Sequence, residues 1–174
     1  MVEAHLRRVL DRVENVSLMV LGDADPLPHL TIPDSFVICY VSGGRFDDHA
    51  LLLELCYQLS RASGSEHQSL TNNFNENLRL FRTAIEAFAA SRRPVALVLD
   101  GLEHFAHTRA KQSLLYNLFE LVQDLEPGSL AILCLSPLLD VYDLLEKRIR
   151  SRFSHSKIVL RDDSDSCSSL DTYS

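Results

Sequence analysis

The stretch "LLEKRIRSRFSH" (144–155) places Lys147, Arg148, Arg150 and Arg152 within six positions of a chain whose formal net charge is −7. Two chemistries suit such a knot. Cations near a helix C-terminus complement the helix dipole, which accounts for one or two of them. Arginine also makes planar, forked contacts with phosphate oxygens, and four cations so close together point to a polyanion or to a nucleotide phosphate held by another molecule.

The other candidates lie where apolar runs end. "VALVLD" (95–100) closes on Asp100, the position from which a P-loop NTPase holds Mg²⁺ through water. A glutamate that orients the attacking water usually follows; here Gly101 follows, and Glu103 is expected to point elsewhere. Ser136 closes "AILCLS" and can either touch a γ-phosphate or cap what comes next. Gly22 closes the first run and opens Gly22-Asp23-Ala24-Asp25-Pro26-Leu27-Pro28-His29. Against the register G-x-x-x-x-G-K-[ST], Leu27 replaces glycine, Pro28 replaces lysine and His29 replaces the hydroxyl residue. Prolines remove amide donors and Asp23 and Asp25 add negative charge, so each change opposes polyphosphate binding. Gly22, Asp100 and Ser136 therefore read as remnants of a nucleotide site.

Other chemistries find little support. No G-x-S-x-G elbow exists for a Ser–His–Asp hydrolase. His104 and His107 stand beside Asp100 and Glu103 without a third convergent ligand, so no metal site is assigned. Four scattered cysteines with no C-x-x-C pair read as buried reduced thiols. The acidic balance argues against a free-standing nucleic-acid binder.

The elements that must position these residues follow from the apolar period. Leu6, Val9, Leu10 and Val13 give an amphipathic helix over 5–13. Helices are also predicted over 49–61, with Asp47 or Asp48 as cap, over 74–90, over 108–126 and over 140–150. In the last, Val141, Leu144, Leu145 and Ile149 form the inward stripe, and Arg148 and Arg152 project together if the helix runs on. Short continuous apolar runs at 15–21, 35–41, 92–101, 129–136 and 156–160 read as strands. The alternation predicts a mostly parallel five-stranded sheet covered on both faces. No apolar run approaches a membrane span, and no signal peptide is recognised. Residues 161–174, acidic and serine-rich, read as a disordered tail.

The order strand-Asp100, "FAH", "QSLLYNLF", strand, then "LLEKR-x-x-SRFSH" resembles subunit 4 of the eukaryotic origin recognition complex, and a weaker resemblance covers most of residues 1–160. The resemblance implies a P-loop NTPase-like (AAA+) three-layer αβα core over 1–160, degenerate at the phosphate loop, with nuclear location. It implies assembly with sister subunits, chiefly the largest, ATP-hydrolysing one, into a ring around origin DNA. Arg152 in "SRF" matches the family's trans-acting arginine finger, with Arg148 as auxiliary cation. Asp100 matches the Walker B aspartate, Ser136 falls at sensor 1, and Tyr116 matches a tyrosine of the family's helix, where packing is its expected role. Lys147 and Arg150 are candidate DNA contacts.

Departures from the family pattern are the phosphate loop and the helix expected before "SFVICYV". The helical lid and winged-helix domain are also not found. Loss of that helix would expose several hundred Å² of apolar surface. No cofactor is expected to bind autonomously; the relevant nucleotide is ATP with Mg²⁺ in a neighbouring subunit. The leading expectation is a replication-initiation subunit supplying Arg152 in trans, not itself an enzyme. A degenerate scaffold that competes for a ring position is the alternative. A self-sufficient ATPase would bind ATP alone. The finger reading fails if Arg152 is tucked inward, unable to face any neighbour.

Overall fold

A computed structural model describes residues 2–22, 30–44, 47–64, 70–107, 109–153 and 156–160. The expectations about Asp23–His29 and about the tail 161–174 lie outside these residues.

Five strands, β1 (Val16–Leu21), β2 (Val37–Ser42), β3 (Val95–Asp100), β4 (Leu130–Ser136) and β5 (Ser156–Val159), form one sheet in the order β2-β3-β4-β1-β5. Every pairing is parallel. The order follows from the sequence pattern. The central strands β1 and β4 are buried at every position and β3 at all but its last, as their unbroken apolar runs require. The edge strand β2 alternates, with Val37, Cys39 and Val41 inward and Ile38 and Tyr40 exposed.

Among the described residues seven helical segments flank the sheet: α1 (Val2–Leu10), α2 (Asp48–Ser63), α3 (Phe74–Ala90), α4 (Leu102–Ala106), α5 (Arg109–Asp124), α6 (Val141–Leu144) and α7 (Lys147–Arg150). The segments α2 to α7 build one core on one face, around Phe81, Phe105 and Phe119. On the other face α1 contributes Leu6 and Val9, joined by Leu30, Ile32 and Phe36. The layers are therefore helix, sheet and helix. Among the described residues, 30–36 contain no helix, and Ile38 and Tyr40 on that face of β2 stay exposed at 50% and 39%.

Local chemistry sets the boundaries. Asp47, not Asp48, caps α2: its carboxylate accepts from the Ala50 N–H at 2.7 Å, and Gly64 ends the helix in the left-handed region. Asn73 caps α3 through the N–H groups of Asn75 and Glu76. The first helix lies three residues earlier than its apolar period suggests, and Val13 is exposed past its end.

Asn15 uses all of its hydrogen-bonding capacity in one place. Its amide donates to the carbonyls of Val122 and Leu125 at the end of α5, and its oxygen accepts from the N–H groups of Ser129 and Leu130 at the start of β4. On the sheet edge, Gln58 of α2 accepts from the Tyr40 N–H and donates to the Tyr40 carbonyl, both at 2.8 Å. That pair of bonds is the one a neighbouring strand would make.

The predicted helix over 140–150 is two separate turns. The Glu146 N–H, which a continuous helix would give to Tyr142, donates instead to the Gln112 side chain at 2.9 Å. Gln112 is buried and also donates to the carbonyl of Ala106 at the end of α4, so it fixes the break between α6 and α7. Leu145 and Glu146 are extended as a result. The break brings Val141, Leu145 and Ile149 to the core and leaves Leu144 exposed, contrary to the expected stripe.

Candidate functional site

Gly22, Asp100 and Ser136 converge at the carboxyl edge of the sheet. In register, Asp100 lies opposite Leu135 on β4, Ser136 lies opposite Leu21 on β1, and the Gly22 N–H donates to the Ser136 carbonyl at 3.1 Å. In an open parallel sheet this crevice is where ligands bind.

The side chains there are engaged with one another. The Tyr40 hydroxyl donates to Asp100 at 2.5 Å. Ser136 donates to Glu103 at 2.6 Å and accepts from the Leu138 N–H at 3.2 Å. Glu103 therefore points into the crevice and not away from it, correcting the sequence expectation. The cause is Gly101, whose left-handed backbone (φ 69°) turns the chain sharply into α4, an element the sequence reading did not contain. Glu103 also lies 3.6 Å from His104.

Gly22 has a steric reason to be glycine. Its φ is 131°, and a Cβ there would sit 1.9 Å from the Leu160 carbonyl oxygen. The Leu160 N–H in turn donates to Leu21 at 2.7 Å, so Gly22 admits the end of β5 against β1.

The cations form a second cluster around two tyrosine rings. Arg152 packs 4.2 Å from the Tyr116 ring centroid, and its Nη2 donates to the Tyr116 hydroxyl at 2.6 Å and to Glu120 at 3.4 Å. Arg148 lies 5.3 Å from the same ring and pairs with Glu146 at 2.6 Å. Helical bonding continues past α7, with the Phe153 N–H on the Ile149 carbonyl, so the two arginines project together as their spacing predicts. The Arg152 side chain is 27% exposed and that of Arg148 50%. Arg152 thus rests on its own α5, with its Nε buried and unpaired among the described residues, yet keeps an open edge.

Arg150 and Lys157 share the second ring. Their charged groups lie 5.8 and 3.9 Å from the Tyr142 centroid, and Arg150 is also 3.7 Å from Asp143. Lys147 is exposed and makes no ion pair among the described residues. Tyr40, Glu120, Tyr142 and Lys157 were not singled out from sequence, because each acquires its place through contacts across strands or helices.

No family model matches the chain. The curated human protein "Origin recognition complex subunit 4" is 36% identical over 117 residues, 67% of this chain and 26% of that protein. The *Xenopus laevis* protein of the same name is 44% identical over 89 residues, 51% of this chain and 20% of that protein. The *Arabidopsis thaliana* "Origin of replication complex subunit 4" is 31% identical over 147 residues, 82% of this chain and 33% of that protein. The chain thus spans about a fifth to a third of the length of these relatives. In fold it is similar to the *Aeropyrum pernix* ORC2 protein in its ADP form (TM-score 0.63, 13% identity, 91% of this chain and 46% of that one). It is also similar to a chain in the *Drosophila* ORC structure bound to AT-rich DNA and Cdc6 (TM-score 0.53, 14% identity, 90% of this chain and 55% of that one). By sequence the chain belongs to the family of origin recognition complex subunit 4, and its fold is the AAA+ architecture.

Proposed function

We propose that the chain acts in origin recognition and the initiation of DNA replication, as a nuclear, non-catalytic subunit of a ring assembled with other origin recognition complex subunits. In that role Arg152, with Arg148 beside it, faces the ATP and Mg²⁺ of a neighbouring, ATP-hydrolysing subunit, and origin DNA is met through the complex, with Lys147 and Arg150 as contacts. The observation that carries this reading is the sharing of the Tyr116 ring by both guanidinium groups. Neither group bonds to Asp100, Glu103 or Ser136, so the pair is not spent on the chain's own crevice. To reach a neighbour's phosphate, Arg152 exchanges Glu120 for the more highly charged partner.

The test is reconstitution with the neighbouring subunit and measurement of ATP turnover. Arg152→Ala is expected to return turnover toward the unstimulated rate; trans arginine fingers in GTPases contribute roughly 10³–10⁵ in rate. Unchanged turnover and unchanged assembly would remove the finger from this proposal.

A second reading is favoured by the Arg152–Glu120 contact and by the engagement of Asp100 with Tyr40. In it the chain is an AAA+ scaffold that fills or competes for a ring position without touching nucleotide. Capture of sister subunits that is insensitive to Arg148 and Arg152 substitution, together with unaltered turnover, selects this reading.

A further inference from the structure

We infer that Tyr142, Lys157 and Arg150 form a contact site for nucleic-acid backbone phosphates, separate from the Arg148–Arg152 pair. The inference rests on the DNA-directed role proposed above and adds a site to it.

The segment 140–157 carries five cations against three carboxylates in a chain whose formal charge is −7 overall. Two of the five are held over one ring: the Lys157 ammonium at 3.9 Å and the Arg150 guanidinium at 5.8 Å from its centroid. Tyr142 itself packs against the core, so the ring is a fixed base. Lys157 is exposed on the edge strand β5 and has no carboxylate partner among the described residues. Arg150 has one, Asp143, at 3.7 Å and with the carboxylate 76% exposed. Held this way, two long side chains lose little further freedom on meeting an anion, which is the usual cost of a Lys or Arg contact.

The chemistry of the ligand follows from what the ring is doing. A tyrosine covered by cations is not a platform for stacking a base, so the site reads phosphates and not sequence. An edge strand charged with lysine also discourages strand addition, but that need is met by Lys157 alone and leaves the Arg150 contact with the same ring without a purpose.

The test is fluorescence anisotropy of the full chain with a labelled duplex and a labelled single strand of mixed sequence, across a salt series. Binding is expected to be weak, without sequence preference, and steeply salt-dependent. Lys157→Gln is expected to lower the slope of log K against log salt by roughly one, the value of one lost phosphate contact. Asp143→Asn removes the local counter-charge and is expected to tighten binding. Tyr142→Phe keeps the ring and is expected to bind as the parent does. No binding at low salt, or an unchanged slope in Lys157→Gln with its fold intact by circular dichroism, overturns the site. So does Lys157-dependent binding of poly-glutamate with none of either nucleic acid, which assigns the patch to an acidic protein partner. ATP turnover by a neighbour, read through Arg152, is a separate measurement, so either reading can fall without the other.

Discussion

Arg152 and Tyr116 meet twice, face and edge: the guanidinium packs 4.2 Å from the ring centroid and donates to the hydroxyl at 2.6 Å. A packed ring alone would hold the charge; the added bond fixes its orientation. Tyr116→Phe keeps the packing and removes that bond together with the one the hydroxyl donates to Glu120 at 3.2 Å, and is expected to cost about 1–3 kcal/mol of stability. Urea melts of the two proteins measure the difference. No measurable loss would mean that the hydroxyl's bonds to Arg152 and Glu120 add nothing to the packing.

Asn15→Ala strips four backbone groups of their partner at the junction of α5 and β4. The site is only part-buried, so water recovers some of these bonds. A destabilisation of about 2–4 kcal/mol is expected, within the range for leaving backbone groups unsatisfied. Asn15→Asp, which keeps the acceptor and loses the donor, should fall between the two in the same denaturation experiment.

Gly22→Ala sets a methyl group against the Leu160 carbonyl and asks an alanine to adopt a positive φ. At least about 1–3 kcal/mol of strain follows. Because the clash falls on the end of β5, amide exchange at Leu160 should accelerate more than exchange in β3 or β4. Equal acceleration throughout the sheet would refute that localisation.

Arg92 ends α3 in the left-handed region, with φ 57°, and it is exposed. Glycine adopts that conformation without the steric cost of a Cβ. Arg92→Gly is expected to raise stability by about 0.5–1 kcal/mol, read as a higher melting temperature. A fall would show that the Arg92 side chain contributes more than its backbone costs.

Burial pushes the thiols of Cys39 and Cys56 up to about 12, and it raises that of Cys134 as well. Folding therefore favours the neutral thiol. This contribution is whole below the ordinary thiol value of 9.0 and is lost as pH climbs through the folded-state values. Melting temperature should drop between about pH 9 and pH 12, by less in a Cys39→Ala variant. These three thiols should also resist iodoacetamide near pH 8 until the chain is unfolded.

What the sequence discloses here depends on the range of the forces involved. The strands β1, β3 and β4 are legible because burial on both faces demands unbroken apolar runs. The α3 boundaries are legible because Asn73 satisfies the first amides locally. The break at Leu145–Glu146 is not, since the amide that causes it belongs to Gln112, 34 residues earlier. Asp100, Ser136 and Gly22 could be placed at strand ends from pattern alone. Their partners Tyr40 and Glu103 required the register of the sheet and the turn at Gly101. The spacing of Arg148 and Arg152 predicted their joint projection, although the helix that carries them is a single turn stacked on another.

The side-chain amide of Gln58 completes the bonding of Tyr40 as a sixth strand would. An extended peptide arriving at that border finds its first rung already taken, and must evict a residue anchored on a four-turn helix to proceed. Templated growth into fibrils is thereby obstructed at this border of the sheet, as the exposed Lys157 discourages it at the opposite one, β5.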